Sequence, residues 1–131
     1  AAAVAAVNPA ATVVRAASPA TLDPGPSLRG RRVLVVDDGP SLTHGGLRSG
    51  AGLTAAVAAG AVPIDPRPFA VGELAATFDA YPHLGPVLPA MGYSPAQVGD
   101  LAATIAAAAP EADRQMAYEE LLIAEGSVQT E

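Results

Sequence analysis

The stretch VLVVDDGPSLTHGG, residues 33–46, sets two adjacent carboxylates, two hydroxyls, an imidazole and paired glycines behind four apolar residues. His44 brings an imidazole, a side chain that can neutralise an anion or move a proton. Asp38 offers oxygen ligands of the kind that hold a magnesium ion or a sugar hydroxyl; it is the candidate metal ligand and, with His44, the expected catalytic pair. Gly45 and Gly46, followed by Gly50 and Gly52, let the backbone approach a ligand closely, and a helix starting near Ala51 would aim its first amides at the same place. An oxyanion suits such amides, and Arg48 or Arg67 can add a forked, charge-assisted contact to a phosphate. Gly45, Gly46 and Arg67 are therefore expected to bind phosphate, with Asp38 positioning metal or substrate.

Each group also has a plain structural reading. Glycines ahead of a helix often serve only as turn residues. Asp38 can cap a turn as readily as it can hold a ligand, and Asp37 reads foremost as a cap. His83, inside YPHLGP, fits a loop packing residue, while Asp79 and Tyr81 read as the end of a helix.

The usual phosphate-binding signatures are missing. GGLRSGAGLT is glycine-rich, but the chain has no G-x-x-x-x-G-K-[ST] and no lysine at all to reach a terminal phosphate. No G-x-G-x-x-G opens a dinucleotide fold, and no G-x-S-x-G elbow marks a serine hydrolase.

The elements that must position the site follow from pattern. Arg32–Asp37 reads as a strand whose apolar run does not alternate, so both faces should be covered, as in a parallel sheet between helices. A helix over AGLTAAVAAG should end at Gly60, and a strand over Ala61–Ile64 should lie parallel to the first through a right-handed crossover. Ligands gather at the carboxyl ends of such strands, which brings Asp37, Asp38, Asp65 and Arg67 toward one rim.

Around this unit, residues 1–7 read as a helix closed by Asn8-Pro9, and Ala11–Ala16 as a strand. SPATLDPGPSLRG is an exposed connection, VGELAATFDAY a helix sharing Leu74, Phe78 and Tyr81 on one face, and PHLGPVLPAMGY an ordered apolar loop. Ser94, Pro95 and Gln97 make a capping box for a helix running to about Ala109. Residues 1–110 are thus one α/β domain, a small three-layer parallel sheet with flanking helices. Residues 111–131 are an acidic tail expected to contain a short helix, with six acids against Arg114 for a net charge of −5.

At 131 residues the chain can bury one core. It is half hydrophobic yet only 4% aromatic, so the core must come from Val, Leu, Ile and small residues. No cysteine excludes disulfides and thiolate metal sites, which favours a reducing cytoplasm. No window of about 18 apolar residues suggests a membrane span, and scattered arginines argue against a nucleic-acid partner. The alanine-rich start without methionine suggests part of a longer chain.

The blocks VLVVDDGPSLTHGG, GAG and DPRPFAVGELAATFDAYPHLGPVLPAMGY together resemble the C-terminal part of the cyclic 2,3-diphosphoglycerate synthetase family and related predicted P-loop GTPases, from about Val7 to Ile105. The resemblance implies an ATP-dependent ligase that closes an intramolecular phosphoanhydride in 2,3-bisphosphoglycerate, or else a GTPase. It also implies magnesium and ATP or GTP as cofactors of the complete protein, an upstream P-loop domain as partner, and a phosphorylated small molecule as substrate. It marks Asp38, Gly39, Thr43, His44, Gly45 and Gly46, then Asp65, Arg67 and Pro68, then His83, Gly85 and Pro86, which adds Thr43 and His83 to the expected substrate-binding set. Relatives are expected to continue into a further buried strand that this chain lacks after Ala109. The function expected is the phosphate-binding part of a nucleotide-dependent, phosphate-handling enzyme. A non-catalytic anion-sensing module and an inactive truncated fragment are the alternatives.

Overall fold

The computed structural model describes residues 2–117. The first strand, β1 (Arg32–Asp38), is the hub of a parallel sheet: β2 (Val62–Pro63), β3 (Leu88–Ala90) and β4 (Arg114–Ala117) all pair with it. Val33, Leu34, Val35 and Val36 are buried, which explains why their run of apolar side chains does not alternate. The chain is α/β, with flanking helices on a small parallel sheet.

Two helices stand between β1 and β2. Helix α2 (Gly39–Thr43) begins directly at the end of β1, where the Asp38 carboxylate caps it by accepting from the Ser41 amide at 3.1 Å. Helix α3 (Ala51–Ala58) packs on β1 and β2 and ends where Gly60 takes φ +76°, a left-handed turn that only glycine adopts freely. Helix α1 (Ala2–Val7) precedes this unit and buries none of its residues.

Helices α4 (Gly72–Ala80) and α5 (Pro95–Ala108) pack on each other. Leu74 and Phe78 are buried on α4, and Leu101, Thr104 and Ala108 on α5. Ser94 accepts from the Gln97 amide at 3.2 Å, as the capping box predicts, while the Gln97 side chain reaches the Tyr93 amide at 2.8 Å. Each fully buried Leu or Val adds about 1.5–3 kcal/mol of hydrophobic stabilisation.

The structure differs from the sequence expectation in four places. Ala11–Ala16 forms no strand; Val13 and Val14 are exposed and nothing pairs with the segment among the described residues. PSLT, given no element in the sequence reading, is helical because Asp38 and Pro40 supply a cap and a compatible first turn. Leu88–Ala90, expected as loop, is a strand in register with Val36–Asp38. Arg114–Ala117, expected within a helical tail, is a strand in register with Val33–Val36, so the chain does continue into a further strand after Ala109. Pairing with the buried hub overrides the weak local preference of both segments. The remainder of the expected tail helix, residues 118–131, lies outside the described residues. Among those described, no helix is long and apolar enough to cross a membrane.

Candidate functional site

The carboxyl end of β1 divides two neighbouring acids between two jobs. Asp37 points inward, 1% exposed, and accepts from the amides of Gly50 at 2.8 Å, Gly52 at 2.7 Å and Leu53 at 3.4 Å. Its carboxylate therefore takes the first turn of α3 for itself, which is the anion position the glycine pattern suggested. Asp38, half-buried, uses one oxygen, Oδ2, on the Ser41 amide and on the Ser41 hydroxyl at 2.5 Å. Among the described residues no group of three His, Asp or Glu side chains gathers as a metal site would require, so Asp38 has no companion ligands there.

Helix α2 ends in the chemistry-bearing pair. Thr43 is buried, and its hydroxyl lies 2.9 Å from the Gly39 carbonyl and 2.9 Å from Nδ1 of His44. His44 itself is exposed. The His44 and Gly45 amides both donate to the Pro40 carbonyl at 3.0 Å, closing the helix, and Gly46 turns the chain away at φ +67°. The Gly45 amide is thus already engaged, and both glycines work as geometry at the end of α2.

The segment Tyr81–Leu84, after α4, brings the other candidates to this place. The Tyr81 ring lies between the two histidines, 6.4 Å from His44 and 6.1 Å from His83, edge-on to the latter. Nε2 of His83 is 2.9 Å from the Leu42 carbonyl, which ties the segment to α2. Two more bonds fix it: the Gly85 amide donates to the Arg48 carbonyl at 2.7 Å, and Nη2 of Arg67 donates to the Leu84 carbonyl. One short segment therefore meets His44 at one end and Arg67 at the other.

Arg67 opens a 3-10 turn, Arg67–Phe69, that follows Asp65. Besides the Leu84 carbonyl, its guanidinium pairs with Asp65 at 3.0 Å and lies over the Phe78 ring at 5.1 Å. A carboxylate, a carbonyl and an aromatic face already satisfy much of this cation, so it clamps the loop. Sequence reading missed Tyr81 as a member of the site. Its signal was an aromatic two residues ahead of His83, overlooked because the same residue also ends a helix.

Together these groups present an exposed imidazole braced by a buried hydroxyl and an aromatic ring at the end of α2, with the Asp38 carboxylate at the start of the same helix. An exposed imidazole held in this way has the chemistry to accept or pass on a proton. Arginine synthetase ArcE of Thermococcus kodakarensis is 55% identical to this chain over 100 residues, 76% of the chain. The chain spans 22% of that relative's length. No protein-family model and no solved structure matches it.

That similarity overturns the resemblance to cyclic 2,3-diphosphoglycerate synthetases and predicted P-loop GTPases. The function drawn from the resemblance, nucleotide-dependent phosphate handling by an ATP- or GTP-driven ligase, falls with it. The alternatives of an anion-sensing module and an inactive fragment are no better supported. The geometry agrees with the correction, since the amides expected to hold an anion are held by Asp37.

Proposed function

We propose that this chain is a segment of an arginine-forming enzyme and that it supplies the proton-transfer group, His44, at the substrate rim. The 55% identity to a relative named arginine synthetase carries the proposal. Forming a guanidinium joins a nitrogen nucleophile to an electrophilic carbon. The new carbon–nitrogen bond forms, the bond from that carbon to its leaving group breaks with the electron pair going to the leaving group, and the incoming nitrogen sheds a proton. An exposed imidazole fixed at the carboxyl end of β1 suits the task of accepting it. The Tyr81 ring, 6.4 Å from His44, adds an aromatic neighbour of the kind a planar cation prefers. Thr43 and His83 serve as braces on α2 and Arg67 as the loop clamp. Magnesium and a nucleotide belong to the proposal only for a longer protein, with Asp38, at the carboxyl end of β1, the carboxylate offered to a metal. Work in a cytoplasm accords with a chain free of cysteine.

The test replaces the matching segment of the Thermococcus kodakarensis arginine synthetase with this chain's 100 residues and measures arginine formed. Arginine production within about tenfold of the parent supports the reading. A chimera that folds like the parent and forms no arginine overturns it.

A further inference from the structure

We infer that Thr43 is a positioning residue that holds neutral His44 in its Nδ1–H tautomer, leaving Nε2 as the bare, proton-accepting nitrogen. The tautomer follows from the geometry alone; its use in proton transfer rests on the function proposed above.

The Thr43 hydroxyl has one proton and two neighbours at 2.9 Å, the Gly39 carbonyl and Nδ1 of His44. A carbonyl can only accept, so the hydroxyl proton goes to Gly39 and the imidazole must bring its own proton to the other contact. The reverse arrangement, with the hydroxyl donating to Nδ1, takes that bond away from the carbonyl of buried Gly39. It also leaves the proton on Nε2, so that the ring nitrogen turned away from Thr43 cannot accept one. In the first arrangement the buried groups keep their bonds, and the unprotonated nitrogen belongs to an exposed residue that water can serve.

His83 is fixed the opposite way. Its Nε2 lies 2.9 Å from the Leu42 carbonyl, so Nε2 carries the proton and Nδ1 is bare. Adjacent residues of α2, Leu42 and Thr43, therefore impose opposite tautomers on the imidazoles either side of Tyr81. These are the chain's two histidines, so each provides the internal reference for the other.

The experiment is a long-range proton–nitrogen correlation spectrum of the nitrogen-15-labelled 131-residue chain, taken above the ordinary imidazole titration range. The expected spectrum has a protonated Nδ1 at His44 and a protonated Nε2 at His83. Thr43→Ser keeps that pattern, while Thr43→Val moves His44 toward the other tautomer, by roughly tenfold at most in the ratio, and leaves His83 unchanged. A protonated Nε2 at His44 in the unaltered chain overturns the inference, as does a Thr43→Val spectrum identical to it. Should Thr43→Val fail to fold, the unaltered chain decides alone. Arginine formation is read separately in the segment-replaced enzyme. An inert His44 there overturns the proposed function and leaves the tautomer assignment standing.

Discussion

The Asp37 carboxylate accepts the Gly52 amide at 2.7 Å and fills the space in front of it so closely that a Cβ on Gly52 would stand 2.6 Å from Oδ1. The start of α3 is thus closed by the chain's own carboxylate. Asp37→Ala leaves the half-buried amides of Gly50, Gly52 and Leu53 without their acceptor and is expected to cost about 3 kcal/mol. Gly52→Ala forces the carboxylate aside at about 1–3 kcal/mol. Urea denaturation of the two variants checks both figures. Tight phosphate binding at α3 by the unaltered chain would contradict the closed reading.

Arg67→Ala removes a bond to the Leu84 carbonyl, an ion pair with Asp65 and a cation over Phe78. The expected loss is about 1–3 kcal/mol, with faster amide exchange across residues 81–85. Arg67→Lys recovers little, because an ammonium cannot span the same partners. Millimolar guanidinium refills the cradle and restores part of the lost stability of Arg67→Ala, measured by thermal melting against an equal concentration of sodium chloride.

The two histidines separate by role. His44 is exposed, so His44→Gln is expected to change stability by less than about 0.5 kcal/mol. His83 is half-buried and holds the Leu42 carbonyl, so His83→Ala costs about 1 kcal/mol. Thermal melts of both variants settle the order; greater destabilisation at His44 would contradict it.

Leu34 sits at the middle of the hub strand, fully buried and in register with Gln115 of β4. Leu34→Ala is expected to cost about 2–5 kcal/mol, through lost burial and the cavity left behind. Equilibrium unfolding in urea measures it.

What the sequence made legible was local. Val33–Val36, the Gly60 stop and the Ser94 cap announce their elements through side chains a few residues apart, and those elements form as expected. The α/β class followed from them. What stayed hidden depends on distant partners. Pro89 lacks an amide proton and reads as a breaker, yet it lies in register with Asp37 because β3 pairs along the buried hub. Gln115 and Met116 suit a helix and become strand by pairing with Leu34 and Val35. Thr12, Val13 and Val14 have the opposite history: good strand residues with nothing to pair against among the described residues. At the site, His44 and Arg67 stood out by type. The capture of the α3 amides by Asp37 is a contact 13 to 16 residues away that spacing alone does not reveal.

The most direct measurement compares arginine formation by two segment-replaced enzymes, one carrying His44 and one carrying His44→Gln, at saturating substrate and matched stability. A loss of about 10²–10⁴-fold in kcat is predicted for a proton-transfer group. Equal rates would remove His44 from the chemistry and contradict the account.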